Sequence, residues 1–84
     1  MCWMVYILKC ADGSLYTGIT TNLPHRIKVH ETGKGARYTN GRGPFQLVHQ
    51  ERHHNRAEAT KREMAIKFLS RAKKLELIRA YSEQ

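Results

Sequence analysis

The sequence has few acidic residues and no long apolar run, and both absences narrow what the chain can do. Asp and Glu number 7 against 15 Lys and Arg, which gives a formal net charge of +8 over 84 residues. This charge balance favours a polyanionic partner, with nucleic acid as the first candidate. A transmembrane helix needs roughly 18 or more apolar residues in a row, and no such run occurs, so we expect no membrane association.

Cysteine is also scarce, since Cys2 and Cys10 are the only two. Both fall on one expected strand, where eight residues of separation correspond to roughly 27 Å, well beyond disulfide reach. We therefore expect reduced thiols. The opening segment MCWMVYIL lacks a basic leader and predicts a strand rather than a secretory signal. The expected location is the cytoplasm.

The chain contains five histidines but no cysteine pair and no helical HExxH arrangement, so a zinc site is not expected. We interpret His49, His53 and His54 as polar residues at a strand edge. The glycine-rich segment TGKGARYTNGRGP lacks the order of glycine, lysine and hydroxyl that a P-loop requires, and nucleotide hydrolysis is not indicated. Its composition predicts a mobile loop over residues 32–44.

The length suits a single domain spanning residues 1–84. Segment 2–9 is apolar at nearly every position, which predicts a central strand covered on both faces. The other expected elements are strands at 14–19 and 45–52, a short helix capped by Asn22 and ending at Glu31, a longer helix from Asn55 to about Leu69, and a last helix capped by Ser70. The order ββαβαα predicts an α+β fold with a small three-stranded antiparallel sheet flanked by helices.

Two helices carry apolar stripes that predict how they pack. The last helix is expected to bury Ala72, Leu75, Ile78 and Tyr81. The second helix has one apolar set at Ala57, Met64, Ala65, Phe68 and Leu69 and another at Ala59 and Ile66, so we expect it to be covered on two faces. Glu63 belongs to the second set. A carboxylate with incomplete solvation there needs a cation, either Lys67 at i+4 or a divalent metal.

The first hairpin, VYILKCADGSLYTG, decides whether Tyr6 and Tyr16 meet. A two-residue turn at Asp12 and Gly13 would place the two phenols on opposite faces of the sheet. A three-residue loop with Gly13 left-handed would pair Tyr6 with Gly18 and bring both phenols to one face. The missing side chain of Gly18 would then leave space for a ring or a substrate. We adopt the second register.

Arg26 and His30 are spaced i, i+4 on the first helix, beside the apolar stripe of Leu23 and Ile27. On their own they would be interpreted as a solvated basic face. The ordered set changes that interpretation: MVY, then YTG, then Arg26 with His30, then Glu63 on a later helix. This set resembles the GIY-YIG nuclease family. The KGARYT and TKREMAIK segments are similar to those of small stand-alone bacterial members.

The resemblance implies hydrolysis of phosphodiester bonds in DNA with one divalent metal, Mg²⁺ or Mn²⁺, held by Glu63. It implies that Arg26 pairs with the phosphate and that Tyr6 and Tyr16 orient or deprotonate the attacking water. A phenol acting as base needs a pKa well below its ordinary value of about 10, which Arg26, His30 and the metal would supply. The tyrosine that acts as base is left open.

The resulting expectation is a structure-preferring or weakly specific endonuclease, of a kind that serves DNA repair or recombination. Branched and single-stranded DNA are candidate substrates and RNA stays open. The expected nucleic-acid contacts are on the glycine-rich loop, at Lys34, Arg37, Tyr38 and Arg42. The alternatives are a nucleic-acid-binding domain without efficient cleavage and a protein-interaction adaptor. The nucleic-acid-binding domain is favoured by the lack of any asparagine after Asn55, because many active members carry a late one.

Overall fold

The structure is a computed structural model that describes residues 2–35 and 37–84, except for the side chain of Arg37. The element order is ββαβαα, which confirms the predicted α+β fold. The strands are β1 (Trp3–Lys9), β2 (Leu15–Thr20) and β3 (Gln46–His53), and the helices are α1 (Leu23–Glu31), α2 (Arg56–Phe68) and α3 (Arg71–Ser82). A 3₁₀ turn, Arg37–Thr39, lies in the loop between α1 and β3.

The three strands form one antiparallel sheet in the order β2-β1-β3. The central strand is β1, as its continuous apolar sequence predicts, and Val5, Tyr6, Ile7 and Leu8 have no exposed surface. Side chains alternate between the two faces of a strand. Burial of four consecutive residues therefore means that both faces of the sheet are covered.

The register of the first hairpin follows the three-residue loop. The backbone N–H of Cys10 donates to the carbonyl of Ser14 at 2.8 Å, and Gly13 has a left-handed φ of 85°. Tyr6 therefore pairs with Gly18, and Leu8 pairs with Tyr16. Because directly opposed residues share a face, the prediction that both phenols lie on one side of the sheet is confirmed.

The two sheet faces pack against different helices. On one face, Val5 and Ile7 pack with Ala59 and Ile66 of α2, and α3 adds Leu77 and Ile78 at the margin. On the other face, Tyr6 and Leu8 pack with Leu23 of α1, bordered by Tyr16, Ile27, Phe45 and Leu47. The candidate site residues Tyr6 and Tyr16 thus point toward α1 rather than toward the larger aliphatic core.

Side-chain caps start all three helices at the predicted residues. The side chain of Asn22 accepts from the backbone N–H of His25, and that of Asn55 accepts from the backbone N–H of Glu58. Ser70 accepts from the backbone N–H of Lys73 in the same way. Each cap satisfies a donor that the first helical turn leaves without a partner, so local sequence chemistry sets these boundaries.

The apolar stripes of α2 and α3 only partly predict their packing. On α2 the set containing Ala59 and Ile66 is buried, whereas Met64 is 53 % and Phe68 is 87 % exposed. The prediction of two covered faces is therefore wrong. On α3, Leu77 packs at the core while Leu75 is 42 % exposed, because the helix meets β3 with a face rotated from the predicted stripe.

The described part of the glycine-rich loop is tied to the rest of the molecule. The backbone N–H of Ala11 donates to the carbonyl of Arg42 at 2.8 Å, and the Arg42 guanidinium pairs with Asp12 in the first hairpin. Thr39 is buried. Composition alone predicted mobility here, but these contacts hold the loop beside the hairpin. Within residues 2–35 and 37–84, no helix has the length and apolarity needed to cross a membrane.

Candidate active site

Two phenols form the centre of the candidate site. The ring centroids of Tyr6 and Tyr16 lie 6.3 Å apart with an interplanar angle of 48°. Their exposure differs, because Tyr6 has no exposed surface while Tyr16 is only half-buried. Tyr16 is the phenol that meets solvent, and Tyr6 lies behind it.

Gly18 permits this arrangement of rings. A Cβ atom built on Gly18 would lie 2.6 Å from the hydroxyl oxygen of Tyr6 and 3.0 Å from Cε2 of Tyr16. The space opposite Tyr6 that the register predicted is real, and the tyrosines themselves fill it. A larger residue at this position would displace the Tyr6 hydroxyl.

Arg26 extends from α1 to both phenols. Burial raises the pKa of Tyr6 to about 12, and this effect outweighs the hydrogen bond and the charge of Arg26, which both act to lower it. Burial also raises the pKa of Tyr16, again against the opposing charge and hydrogen bond of Arg26. Arg26 and His30 by themselves therefore do not lower the pKa of either phenol below its ordinary value, and both phenols are protonated at neutral pH.

His30 is part of a buried hydrogen-bond chain and not of a solvated basic face. Its Nε2 lies 2.9 Å from the Tyr6 hydroxyl, and its Nδ1 lies 2.8 Å from Oγ1 of Thr39. Burial lowers the pKa of His30, and the nearby charge of Arg26 lowers it further. A neutral imidazole has one donor and one acceptor. His30 can therefore donate to one of the two hydroxyl groups and accept from the other, and either tautomer satisfies both hydrogen bonds.

Thr39 was not singled out by sequence reasoning, although the KGARYT segment contains it. The cations of that segment predicted nucleic-acid contacts, whereas the Thr39 hydroxyl is buried beside His30. The close approach of the loop to α1 requires Gly35, since a Cβ there would lie 2.3 Å from Nδ1 of His30. We call Tyr6, Tyr16, Arg26 and His30 the phenol cluster.

Glu63 approaches the phenol cluster from α2. Its charge contributes to raising the pKa of both Tyr6 and Tyr16, which places the carboxylate near both hydroxyls. Its ion-pair partner is Lys67, with Nζ 3.7 Å from Oε2. That separation exceeds hydrogen-bond length, so the pair holds the carboxylate only loosely.

Glu63 is the carboxylate of the site that could hold a metal. Among residues 2–35 and 37–84, no group of three or more His, Cys, Asp or Glu side chains forms a metal cluster. Mg²⁺ does not need such a cage, because it commonly binds through one or two carboxylates together with waters and substrate phosphate. A single half-buried carboxylate near the Arg26 guanidinium fits this mode.

The proposed nucleic-acid residues of the loop have different surroundings. Lys34 is exposed, and the side chain of Arg37 lies outside the described part of the structure. The ring of Tyr38 stacks on Tyr16, with centroids 6.0 Å apart and planes at 28°. The guanidinium carbon of Arg42 lies 4.5 Å from the centroid of Tyr38. Arg42 thus fixes the loop as well as adding charge to it.

A second polar cluster lies on the opposite sheet face and was missed from the sequence. The carboxylate of Glu51 accepts hydrogen bonds from both Nε and Nη2 of Arg62. Its oxygens also lie 2.7 Å from Nε2 of His49 and 3.2 Å from Nε2 of His53. Burial works to raise the pKa of Glu51, but these hydrogen bonds prevail and lower it to about 2. His49 lies on β3, an edge strand of the sheet, but its side chain is buried beneath this cluster rather than solvated.

Residues 2–76 match the GIY-YIG catalytic domain family. The chain belongs to the GIY-YIG family. It is 57 % identical over 74 residues to a UPF0213 protein of Oceanobacillus iheyensis, covering 88 % of this chain and 86 % of the relative. A UPF0213 protein of Clostridium perfringens is 58 % identical over 78 residues, with coverage of 93 % and 84 %.

Two solved structures share this GIY-YIG fold. The solution NMR structure of a UPF0213 protein from Bacillus halodurans is 51 % identical with a TM-score of 0.62, over 95 % of this chain and 85 % of that one. The solution NMR structure of a protein from E. faecalis is 36 % identical with a TM-score of 0.68, over 100 % and 90 %. Family membership therefore supports a nuclease-type domain that acts on nucleic acid.

Proposed function

We propose that this GIY-YIG domain is a metal-dependent endonuclease that hydrolyses phosphodiester bonds in DNA, with structural preference or weak sequence specificity. The observation that supports it most is the position of Arg26 between two neutral phenols. A guanidinium has five N–H donors and a permanent charge. Because protonated phenols do not neutralise that charge, Arg26 retains it for an anion such as a phosphodiester.

The roles divide according to exposure. Arg26 binds the scissile phosphate, and the Tyr16 hydroxyl, which is half-buried, hydrogen-bonds the attacking water. Glu63 would hold Mg²⁺ or Mn²⁺, which supplies positive charge opposite the phosphate and leaving oxygen when bound. Tyr6 and His30 are buried and act through their neighbours: Tyr6 holds Arg26, and His30 holds the Tyr6 hydroxyl.

The protonation of the buried chain supports this division. With the pKa of Tyr6 at about 12 and that of His30 lowered, both groups are neutral near pH 7. These neutral partners do not neutralise Arg26, and the acidic group near it is Glu63, the residue that would hold the metal. An anionic substrate gains more from the charge of Arg26 than from an ion-paired arginine.

A nucleic-acid-binding domain without efficient cleavage is the second candidate, and the raised phenol pKa favours it. A phenol whose raised pKa keeps it protonated at neutral pH cannot accept a proton from the attacking water. In addition, no asparagine follows Asn55, whereas many active members of the family carry a late one. Binding alone needs only the net charge of +8. The two candidates differ in turnover and not in affinity.

A cleavage assay separates the two. The full chain is incubated with single-stranded, duplex and branched DNA and with RNA, in the presence of Mg²⁺, Mn²⁺ or chelator, beside Glu63→Gln. The endonuclease proposal expects metal-dependent products from the parent and none from Glu63→Gln. Absence of products from every substrate, with binding retained, would leave the binding domain as the function.

The loop residues supply affinity in this proposal. Lys34 and Arg37 contribute phosphate contacts, Tyr38 offers an aromatic wall, and Arg42 adds charge beside it. Binding should weaken steeply as salt rises, because neutralised phosphates release counterions. The double variant Arg37→Ala with Arg42→Ala should bind more weakly with a shallower salt dependence, and unchanged salt dependence would contradict this loop assignment.

A further inference from the structure

A groove runs along the outer edge of β2, next to the phenol cluster. It has a volume of about 380 Å³ and is lined by Leu15, Tyr16, Thr17, Tyr38, Lys67 and Lys74. We call it the β2-edge groove. The strand β2 is at the edge of the sheet, so part of its backbone hydrogen-bonding capacity faces this groove.

Long-range contacts build this groove. The Arg71 guanidinium donates to the carbonyl of Gly13 at 3.0 Å, which holds the first turn of α3 beside the hairpin. Lys74, three residues further on, therefore lies beside β2. On the other side, the stacking of Tyr38 on Tyr16 fixes the aromatic wall. The groove is thus assembled from the hairpin, the loop, α2 and α3.

The charge in the groove is positive and weakly compensated. None of its six lining residues is acidic. Lys67 approaches Glu63 no closer than 3.7 Å, and within the described residues Lys74 has no acidic partner. The neighbouring Lys73, by contrast, pairs with Glu76 at 3.5 Å on the exposed side of α3. Two ammonium groups therefore line a space whose other residues are the two tyrosines, Leu15 and Thr17.

We propose that the β2-edge groove binds the nucleotide adjacent to the scissile bond, with its phosphate between Lys67 and Lys74 and its sugar or base against Leu15 and Tyr38. This subsite rests on the proposed function. A nucleotide combines an anionic group with a flat apolar ring, and the groove presents the complementary pair of surfaces. Tyr16 belongs to both the groove and the phenol cluster, so one strand of nucleic acid can occupy both.

The groove adds two lysines from α2 and α3 to the positive charge that the loop supplies. Lys67 lies on α2 and Lys74 on α3, whereas Lys34 and Arg42 belong to the segment between α1 and β3. A strand held on both sides of the scissile phosphate is positioned better for in-line attack than one held on one side. The two lysines therefore contribute position as well as affinity.

The test measures nucleotide binding in the groove under conditions that prevent cleavage. A single-stranded hexanucleotide is titrated into the full chain in the presence of chelator, and amide NMR shifts and fluorescence anisotropy are recorded. The proposal expects shifts at the amides of Leu15, Tyr16 and Thr17. In Lys74→Gln these shifts should disappear, the affinity should fall about fivefold, and the slope of log Kd against log salt should fall by about 0.7.

Lys73→Gln is the matched control, since it removes the same charge from the same helix one residue away. It should change the affinity less than about twofold. Equal weakening by Lys73→Gln and Lys74→Gln would overturn the subsite, because a diffuse field would then explain the binding. A mononucleotide or inorganic phosphate that binds as tightly as the hexanucleotide would also overturn it, by showing a small-anion pocket.

Failure of the proposed function gives a different result. If the parent chain binds no nucleic acid at low salt, both the subsite and the nuclease proposal fail. If the parent binds and cleaves, while the β2 amides do not shift and Lys74→Gln matches the parent, only the subsite fails.

Discussion

Each of the two polar clusters on opposite faces of the sheet contains an arginine and a histidine, but the clusters differ in whether the charge of the arginine is paired. In the Glu51 cluster, consisting of Glu51, His49, His53 and Arg62, one carboxylate receives hydrogen bonds from three side chains, and its arginine is neutralised by it. In the phenol cluster the arginine contacts two protonated phenols and keeps its charge. Full internal pairing stabilises a fold, whereas incomplete pairing leaves charge for a ligand.

The same contrast applies to the two carboxylates. Glu51 has hydrogen bonds at 2.7 to 3.2 Å from its partners, while Glu63 has one ion pair at 3.7 Å. An ion pair of that length between partly exposed groups contributes little to stability. Glu51 is therefore expected to matter for folding and Glu63 for catalysis, and single substitutions can test the division.

The largest expected effect is on turnover in Glu63→Gln. The substitution keeps side-chain volume and helix propensity and removes the charge that would hold a metal. Cleavage should fall by about 1,000-fold or more, since the metal is expected to supply several kcal/mol of charge stabilisation. The measurement is initial rate under matched Mg²⁺, together with the free energy of unfolding and the affinity for DNA in chelator, both of which should stay close to those of the parent.

Glu76→Gln is the control for that change, because Glu76 lies on the exposed side of α3 and pairs with Lys73. It should cleave at the parent rate. Unfolding of Glu63→Gln would instead identify Glu63 as a structural partner of Lys67. Cleavage at the parent rate by Glu63→Gln would mean that the reaction uses another site.

The next effect is on stability in Glu51→Gln. The lowering of the Glu51 pKa from 4.5 to about 2 corresponds to about 3 kcal/mol of stability at neutral pH. The folded state binds the proton of Glu51 less tightly than the unfolded state does. This contribution is therefore present above pH 4.5 and is lost as the pH falls toward 2. Urea titrations should show the loss of stability in the variant and a flatter dependence on acid pH.

Turnover per folded molecule should be unchanged in Glu51→Gln, because the cluster lies on the sheet face opposite the phenols. A variant that remains as stable as the parent at pH 7 but loses activity would reverse the roles assigned to the two faces.

Smaller effects on stability and cleavage are expected when each of the two tyrosines is replaced by phenylalanine. Tyr6→Phe removes the hydroxyl that bonds His30 and interacts with Arg26, and leaving such buried groups without a partner costs about 1 to 3 kcal/mol. Tyr16→Phe should cost less than about 0.5 kcal/mol, because Tyr16 is half-exposed, but should slow cleavage by about 100-fold. Equal losses of stability in the two variants would contradict the division between a buried and a solvent-facing phenol.

The pH dependence of stability at alkaline pH provides a second test of the buried position of Tyr6. The folded state holds the Tyr6 proton up to a pKa of about 12, whereas the unfolded chain loses it near 10. The corresponding stability is present below pH 10 and is lost as the pH rises through 12. Tyr6→Phe should abolish that component of the alkaline loss, as measured by urea titrations at pH 9 and above.

Local rules predicted much of the fold and of the site. The loop Ala11, Asp12 and Gly13 sets the hairpin register, and that register brings Tyr6 and Tyr16 together. Asn22, Asn55 and Ser70 begin the helices where capping chemistry requires. These features depend on a few adjacent residues, which is why the sequence alone was sufficient to predict them.

The remaining features depend on how distant elements pack. Periodicity showed two apolar stripes on α2 but not which one the sheet would cover, so the exposure of Met64 and Phe68 was missed. The raised pKa of the phenols reflects the depth of burial, which charge counting cannot give. Thr39 and Glu51 acquire their roles only when a loop or a strand is brought against another element.

The smallest expected effect concerns Thr39, which we interpret as a positioning residue for His30. Its Oγ1 lies 2.8 Å from Nδ1 of His30, and a single hydrogen bond of this kind contributes about 1 kcal/mol. Thr39→Val should lose about that much stability and slow cleavage about tenfold, while Thr39→Ser, which retains the hydroxyl, should restore both. A purely structural role would change stability alone. The distinguishing measurement is the nitrogen NMR spectrum of the His30 ring, where the parent and Thr39→Ser should show one tautomer and Thr39→Val a mixture. If the ring of Thr39→Val keeps the parent's tautomer while stability falls, the hydroxyl packs the loop without orienting the imidazole, and His30 must be held by Tyr6 alone.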